Sequence, residues 1–347
     1  MRSFLDRCWY GACRIRFLLL PFSLVFFLLL ACRRMAYRAG LLRSRRLPVP
    51  VIVVGNLGVG GSGKTPLVLW LVEGLRALGW RPGIISRGYG GSAGGVQSVA
   101  LNAAPTAVGD EPLLLARRSG VPVFVGHDRV AAGLALLSAH PECNVIVSDD
   151  GLQHYRLRRA VEIAVFDQRG AGNAQLLPAG PLREPLQRLS AVTALVWNTL
   201  PHRPQLMPLS ASGVVRDKPQ YTMRLSSRRF IALDDARRFC TADELRGKRL
   251  YALAGIGDPS RFFAQLEALG LDFEAHPFPD HHFFSAADLA FARDGVLLIT
   301  EKDAVKCVAL KPSETWVLPV DAQIDATPDS HTLLELILER INGRAPA

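Results

Sequence analysis

The sequence of 347 residues predicts an α/β protein in which helices cover both faces of a parallel sheet. Short segments rich in β-branched residues alternate with segments of helical periodicity along most of the chain. A glycine-rich loop joins the first predicted strand to the first predicted helix, as in nucleotide-binding α/β proteins. Later elements predict a smaller second α/β domain, and an apolar stretch between arginines predicts a membrane-associated helix at the N-terminus.

The predicted elements alternate in type through most of the chain. In order they are strand 49–54, helix 66–78, strand 82–86, helix 111–119, strand 122–126, helix 128–139, strands 144–148, 161–167 and 192–197, strand 249–255, helix 259–269, strands 296–300 and 315–318, and helix 333–341. Two further segments, Val214–Met223 and Phe230–Leu233, predict a two-stranded connector. The predicted units are an anchor at 1–46, a core domain at 47–212, the connector at 213–235, a second domain at 236–330 and a C-terminal helix at 331–347.

The positive charge of the chain is concentrated at its N-terminus. The formal charge is +10, from 41 Lys and Arg against 31 Asp and Glu. Residues 1–46 contain ten arginines and one acid, Asp6, so they carry +9 and the rest of the chain carries +1. A body so close to neutral weighs against nucleic-acid binding, which needs a basic face.

An uncharged apolar stretch, Phe17–Cys32, lies inside this basic segment. As a helix its sixteen residues extend about 24 Å, short of a hydrocarbon core of about 30 Å, which favours a helix in the interface. One alternative is an ordinary buried helix. Another is a cleaved signal peptide, because Leu29-Leu30-Ala31-Cys32 resembles a lipoprotein processing site. A nucleotide motif follows within thirty residues and needs ATP, which favours a retained membrane anchor.

The glycine-rich loop after strand 49–54 fits the pattern GxxxxGK[ST] in full, as Gly58-Val59-Gly60-Gly61-Ser62-Gly63-Lys64-Thr65. Its glycines let backbone N–H groups surround phosphate oxygens at the positive end of the following helix. In this pattern Lys64 reaches the β- and γ-phosphates and the Thr65 hydroxyl binds Mg²⁺. The sequence therefore predicts a P-loop NTPase-type sheet with ATP and Mg²⁺ as cofactors.

A second acidic motif completes the predicted nucleotide site. The apolar strand 144–148 is followed by Asp149 and Asp150. Carboxylates at the carboxyl end of a parallel strand lie where open α/β sheets bind ligands, so both residues are predicted metal ligands. The alternative is an ordinary Asp-Asp-Gly turn.

Motifs of other P-loop classes are missing from the sequence. Thr300-Glu-Lys302-Asp303 has the letters of a guanine-selecting motif at the wrong spacing, and there is no LSGGQ-like run or second nucleotide motif. These features favour a phosphotransferase over a switch GTPase, a transporter ATPase or a helicase.

The P-loop block, from Val53-Val-Gly-Asn56-Leu to Gly60-Gly-Ser-Gly-Lys-Thr-Pro66, resembles the tetraacyldisaccharide 4′-kinase family. The resemblance continues, in the family's order, through Ser86–Gly90, Gly109–Pro112, Ser148–His154, Leu177–Pro185, Phe278–His281 and Thr300–Lys306. The chain departs from the family at Asn173-Ala-Gln175, where Asn-Gly-Arg is common.

This resemblance implies transfer of the ATP γ-phosphate to the 4′-hydroxyl of a tetraacylated glucosamine disaccharide 1-phosphate, giving lipid IVA. It also implies an enzyme on the cytoplasmic face of the inner membrane, in contact with membrane lipids through its N-terminal segment. The sequence indicates no nucleic-acid ligand and no obligate protein partner.

The resemblance further implies roles for individual residues. Asp110 would be the catalytic base, and His281, which directly follows Asp280, would form a dyad with it. Arg87, Tyr89, Glu111, Arg183 and Glu184 are further candidates for substrate contacts, since an arginine side chain bonds two phosphate oxygens at once; the alternative for the arginines is an ordinary solvated position in a loop. From the residues alone, Asp110 is favoured as a helix N-cap, and His281 is nearly indistinguishable from His282.

Two other functions remain compatible with the motifs. One is a kinase for another membrane-embedded sugar or isoprenoid lipid. The other is a membrane-tethered P-loop ATPase or GTPase chaperone without an acceptor, which would hydrolyse nucleotide at similar rates with and without lipid.

Overall fold

The computed structural model describes residues 8–11, 16–91, 94–199, 217–227, 229–310, 312, 314–325 and 332–343. Its larger sheet is built from strands β1 (Val51–Gly55), β2 (Pro82–Ser86), β3 (Gln97–Ser98), β4 (Val123–Val125), β5 (Val145–Asp149), β6 (Val161–Asp167), β7 (Ala194–Thr199), β8 (Gln220–Ser226) and β15 (Asp321–Asp325). The order across this sheet is β15-β8-β7-β6-β1-β5-β2-β4-β3. Neighbours from β8 to β4 are parallel, and the two edge strands are antiparallel.

The smaller sheet contains β9 (Phe230–Ala232), β10 (Phe239–Cys240), β11 (Leu250–Ala254), β12 (Glu274–Pro277), β13 (Val296–Thr300) and β14 (Thr315–Leu318). Its order is β10-β9-β14-β13-β11-β12, and the four strands from β14 to β12 are parallel. The helices of the described chain are α1 (Arg16–Arg38), α2 (Lys64–Ala77), α3 (Pro105–Val108), α4 (Asp110–Ser119), α5 (Arg129–Ala139), α6 (Ala242–Leu245), α7 (Pro259–Ala268), α8 (Glu301–Cys307) and α9 (Leu333–Asn342), with short 3₁₀ turns at Leu186–Ala191, Ala290–Ala292 and Val308–Leu310.

Helices cover both faces of the larger sheet because its central strands are apolar on both sides. Ile52 and Val54 of β1 share a buried cluster with Leu71 of α2. Val51 and Val53, which point to the opposite face, pack in a second cluster with α5. A strand that is buried on both faces has a continuous apolar sequence, and such a run predicts a central strand of a parallel sheet. The predicted α/β fold with a parallel sheet is confirmed.

The two sheets are joined by two short links that run side by side. β8 ends at Ser226 and β9 begins at Phe230, and β14 ends at Leu318 just before β15 begins at Asp321. The Ser227 hydroxyl donates to the Pro319 carbonyl (2.5 Å), so the two links are in contact. β8 therefore pairs with β7 and β15 in the larger sheet, whereas β9 pairs with β14 and β10 in the smaller one. Part of the predicted two-stranded connector, residues 213–216, lies outside the described residues. Of its described part, Gln220–Ser226 belongs to the larger sheet and Phe230–Ala232 to the smaller one, so these two strands do not form a separate connector.

The C-terminal part of the chain also returns to the larger sheet. β15, within the predicted second domain at 236–330, pairs with β8, and α9 packs in the same core cluster as α2. The sequence around β15 does not indicate this pairing, because the partner strand lies almost a hundred residues earlier in the chain.

The part of the chain built on the larger sheet is called the first domain, and the part built on the smaller sheet the second domain. Helix α1 lies along the first domain and leaves most of its own apolar surface uncovered. Its Ser23 hydroxyl donates to the Leu176 carbonyl (2.9 Å) and accepts from the Ala179 amide (3.0 Å). Phe26 and Leu30 pack against the core, but only 6% of the apolar 18-residue stretch of this helix is buried. By length and composition, the 23-residue helix is able to cross a membrane. At about 35 Å it is longer than the apolar stretch alone, because the helix continues to Arg38.

Candidate active site

A cavity of about 850 Å³ lies between the two domains. From the first domain it is lined by the P-loop and by residues at the carboxyl ends of β2 and β5. From the second domain it is lined by Gly257 and Asp258 after β11, His281 after β12 and Lys302 after β13. The carboxyl edges of the two parallel sheets thus face the same space, which is where such sheets bind ligands.

The P-loop has the left-handed backbone that its glycines permit. Gly60 and Gly63 have φ of 101° and 90°. A Cβ on Gly63 would lie 2.2 Å from the Asn198 amide nitrogen, which itself donates to the Ser62 carbonyl (3.0 Å). Gly63 is therefore required both by its φ and by the packing of β7 against the loop.

Lys64 starts α2 and extends along the loop toward two oxygen acceptors. Its ammonium donates to Asn56 Oδ1 (3.3 Å) and lies 3.8 Å from Asp150 Oδ1. Arg183 binds both oxygens of Asp150, at 2.9 and 3.0 Å, and also contacts Asn56. Burial raises the pKa of Asp150, but these two cations outweigh it and hold that pKa well below its ordinary value. Asp150 is therefore a fixed negative charge beside Lys64.

Asp149 ends β5 and is almost fully buried beside the P-loop strand, with Val54 as its partner in register. The Ser86 hydroxyl donates to Oδ2 (3.3 Å), but Oδ1 has no hydrogen-bond partner among the described residues. Burial, together with the charge of Glu111, raises the pKa of Asp149. A buried carboxylate oxygen left without a donor fits a site that binds a cation.

Asp110 is the first residue of α4, and the N-cap is Gly109. The carboxylate of Asp110 accepts from its own helix at the Glu111 amide (2.9 Å) and lies 3.0 and 3.1 Å from His281 Nδ1. The N-cap position, which the local sequence favours for Asp110, is thus occupied by the preceding glycine. Asp110 and His281, the two residues of the expected dyad, are in contact across the two domains. His282 faces the other way, with Nε2 3.4 Å from Asp288.

The contact between Asp110 and His281 shifts the pKa of both groups. Burial raises the pKa of Asp110, but the hydrogen bond from His281 and the charge of Lys302 outweigh it and lower that pKa. The same hydrogen bond raises the pKa of His281. Asp110 is therefore ionised at neutral pH, and His281 donates to it from Nδ1.

Lys302 is a site residue that sequence reasoning missed. Its ammonium lies 3.1 Å from Glu111 Oε1, 3.1 Å from Asp280 Oδ1 and 3.4 Å from His281 Nε2. In the sequence, the segment around it has the letters of a guanine-selecting motif at the wrong spacing and forms one block of the family resemblance, but neither gives Lys302 a role. Its position at the carboxyl end of β13 was the available signal, because the corresponding ends in the first domain carry the nucleotide residues.

A second missed residue is Arg261 of α7, which lines the cavity and donates to Asn198 Oδ1 (3.0 Å). Burial lowers its pKa. Nothing in the sequence around Pro259 distinguished this arginine from a solvated one.

The residues implied as substrate contacts fall into two groups. Arg87, Tyr89, Glu111 and Arg183 line the cavity, and the Tyr89 ring lies 5.2 Å from the His281 ring. Glu184 does not line it: the side chain is fully buried, accepts from the Tyr155 hydroxyl and lies 3.6 Å from Arg188. In this structure Glu184 holds the loop that carries Arg183.

Comparison with known proteins gives matches along nearly the whole chain. The sequence model of the Tetraacyldisaccharide-1-P 4′-kinase family matches residues 15–342. The tetraacyldisaccharide 4′-kinase of Dechloromonas aromatica (strain RCB) is 53% identical over 351 residues, covering 100% of both chains. That of Azoarcus sp. (strain BH72) is 56% identical over 331 residues, covering 95% of this chain and 93% of its own.

A solved structure agrees with these sequences. It is a crystal structure of LpxK from Aquifex aeolicus, described as an "apo" form in complex with ATP. It is 31% identical to this chain with a TM-score of 0.77, and covers 94% of this chain and 99% of its own. Because the matches run through α1, both sheets and α9, the chain belongs to the tetraacyldisaccharide-1-P 4′-kinase family.

Proposed function

We infer that this chain is an ATP-dependent kinase of lipid A biosynthesis, which phosphorylates the 4′-hydroxyl of a tetraacylated glucosamine disaccharide 1-phosphate to give lipid IVA. Family membership supports this reaction. The observation that carries it is the contact of Asp110 with His281 beside a cavity that the P-loop also lines. A kinase needs a group that orients the acceptor hydroxyl and cations around the γ-phosphate, and this cavity offers both.

The roles of the chain's residues follow from their positions. Backbone N–H groups of the P-loop would bind the phosphates of ATP, and Lys64 would move from Asn56 and Asp150 to their oxygens. Ionised Asp110 would accept a hydrogen bond from the acceptor hydroxyl, and His281 would hold the carboxylate toward the cavity. Phosphoryl transfer has a loose transition state, so an orienting carboxylate of low pKa suits it and little early deprotonation is needed.

We propose that Thr65, Asp149 and Asp150 hold Mg²⁺. Both oxygens of Asp150 bond to Arg183, whereas Oδ1 of Asp149 has no donor among the described residues, so Asp149 is the better placed carboxylate. A cation held by these residues would supply positive charge that offsets the negative charge developing during phosphoryl transfer.

We also propose that α1 binds the cytoplasmic face of the inner membrane, where an acylated substrate is presented. Its uncovered surface includes Leu18, Phe22 and Leu29, which are 73%, 65% and 65% exposed. Such a patch is costly in water and favours a lipid environment. Arg33, Arg34 and Arg38 at the end of the helix would meet anionic headgroups.

Changing Leu18, Phe22 and Leu29 together to serine is expected to weaken binding to anionic phospholipid vesicles by at least about 100-fold, because three large apolar side chains no longer enter the lipid. Cosedimentation of the full chain with vesicles measures this. The matched control changes three exposed leucines of the body, Leu78, Leu101 and Leu134, to serine. Equal binding by both variants would contradict a membrane role for α1.

The proposed reaction is tested by incubating the full chain with γ-labelled ATP and purified tetraacyldisaccharide 1-phosphate in detergent. We expect label in the lipid at its 4′ position, and ATP hydrolysis without lipid at a much lower rate. Hydrolysis at equal rates with and without lipid, together with an unlabelled lipid, would instead support the ATPase alternative.

A further inference from the structure

A compact charged cluster surrounds the tip of Lys302 at the boundary between the two domains. The ammonium contacts Glu111 of α4 in the first domain and Asp280 in the second, each at 3.1 Å. It lies 3.4 Å from Nε2 of His281 and 4.0 Å from Oδ2 of Asp110. The side chain of Lys302 is only 15% exposed, so these contacts are shielded from solvent.

The position of Lys302 relative to His281 is specific. Nδ1 of His281 faces Asp110, and Nε2 of the same ring faces the ammonium at 3.4 Å, whereas Asp280 Oδ2 lies 3.7 Å from Nε2 and does not hydrogen-bond to it. Lys302 can act only as a hydrogen-bond donor, so it favours the tautomer with the proton on Nδ1 and the lone pair on Nε2. That tautomer is the one that donates to Asp110.

The balance of charge in the cluster also depends on this lysine. The groups that face Asp110 are His281, Lys302, Lys306 and the Tyr89 ring beside His281, and Glu111 and Asp280 add negative charge next to Lys302. Burial lowers the pKa of Lys302, but the three carboxylates outweigh it and raise that pKa. The ammonium is therefore permanently charged at the pH at which Asp110 titrates.

We propose that Lys302 is a positioning residue for phosphoryl transfer, which fixes the tautomer of His281 and keeps Asp110 aligned by joining Glu111 and Asp280 across the cleft. This inference rests on the proposed kinase function and adds a third, cationic member to the Asp110–His281 pair. The role requires no contact between Lys302 and either substrate.

A simpler role would be an ion pair that only holds the domains together. The chain offers a control for it, because Arg118 of α4 also bridges the domains through Glu301 of α8, and it contacts Asp321 of β15 in the larger sheet (2.6 Å). Within the described residues, neither Arg118 nor its partners hydrogen-bond to Asp110 or His281. Loss of Arg118 therefore removes a bridge and leaves the surroundings of the dyad in place.

The experiment measures kcat and kcat/KM against pH for lipid phosphorylation by the full chain. Lys302 lowers the pKa of both Asp110 and His281, so in Lys302→Met both values rise and the acid limb moves to higher pH. We expect a move of about 1 pH unit and a loss of at least about 10-fold in kcat. Lys302→Arg retains the charge and is expected to keep the acid limb near its original position.

Arg118→Met is the matched variant, and it is expected to leave the acid limb unchanged. Thermal unfolding of each variant identifies any that fails to fold, and Lys302→Gln, which also lacks the charge and is expected to show the same shift, replaces Lys302→Met if that variant does not fold. An unshifted acid limb in Lys302→Met, or an equal shift in Arg118→Met, would overturn the inference while the kinase function stood. A wild-type chain that labels no lipid would instead overturn the proposed function itself.

Discussion

Replacement of Asp110 by Asn is expected to lower kcat for lipid phosphorylation by about 10²- to 10⁴-fold. Asn has nearly the same shape but carries no charge and does not accept a proton from the acceptor hydroxyl. The described hydrogen bonds of Asp110 go to His281 and Glu111, and none goes to the P-loop. We therefore expect ATP affinity, measured by calorimetry, to stay within about threefold of the original value.

The histidines at 281 and 282 provide a matched pair for the same site. His281→Ala is expected to lower kcat by at least about 10-fold, because Asp110 loses its only imidazole partner within the described chain. His282→Ala removes a neighbouring ring that contacts Asp288, and we expect kcat close to the wild-type value. His282 also packs near Phe278, so thermal unfolding is measured for both variants. Equal kcat for the two variants would exclude the dyad.

The second large effect is expected for Gly63→Ala, which should weaken ATP binding by at least about 100-fold. A non-glycine residue at φ of 90° costs about 1–3 kcal/mol, and the new Cβ must also displace the Asn198 amide from the Ser62 carbonyl. A total near 3 kcal/mol corresponds to about 100-fold in Kd. Calorimetric titration with ATP gives this value directly.

Gly61→Ala is the control for this substitution in the same loop. Gly61 does not have a positive φ, and a Cβ there would meet no atom within 4 Å. We expect the Kd for ATP to change by less than about 10-fold, with an unchanged unfolding temperature. If Gly61→Ala weakened binding as much as Gly63→Ala, the packing of Asn198 against the loop would not explain the requirement for glycine.

Much of the first domain was predictable because its strands are buried on both faces. The segments around Val53 and Ile146 are apolar runs. The P-loop follows the first, and the predicted metal ligands Asp149 and Asp150 follow the second. Since β1 and β5 are parallel neighbours, the P-loop and Asp149 had to lie together. The position of the nucleotide site therefore follows from local pattern and one topological rule.

The second half of the site could not be derived in that way. Asp110 looks locally like an N-cap, and only a partner 171 positions later in the sequence shows where its carboxylate points. His281 and His282 differ in direction because His281 has a φ of 59°, which no pattern of residue types indicates. For these two residues the resemblance to a family supplied what the residues alone did not.

For Glu184 and Lys302 the sequence does not indicate whether the side chain faces the cavity. Glu184 follows Arg183 in a motif rich in charges, yet its carboxylate is buried against Tyr155 and Arg188. Lys302 follows a buried strand and faces the cavity. The direction in which a charged side chain points at a strand end depends on packing between elements that are far apart in the sequence. The periodicity of apolar residues does not indicate that packing.

The antiparallel pairing of β15 with β8 has a consequence for the order in which the chain folds. Ser226 and Asp321 are partners in this pair, and roughly 90 residues of the second domain lie between them. Closing a flexible loop of that length costs about 4 kcal/mol in entropy before any contact forms. A second domain that folds first brings its two ends together through the Ser227 hydroxyl and the Pro319 carbonyl, and so removes that cost. We therefore expect the edge of the larger sheet to form late, after the inserted unit has closed.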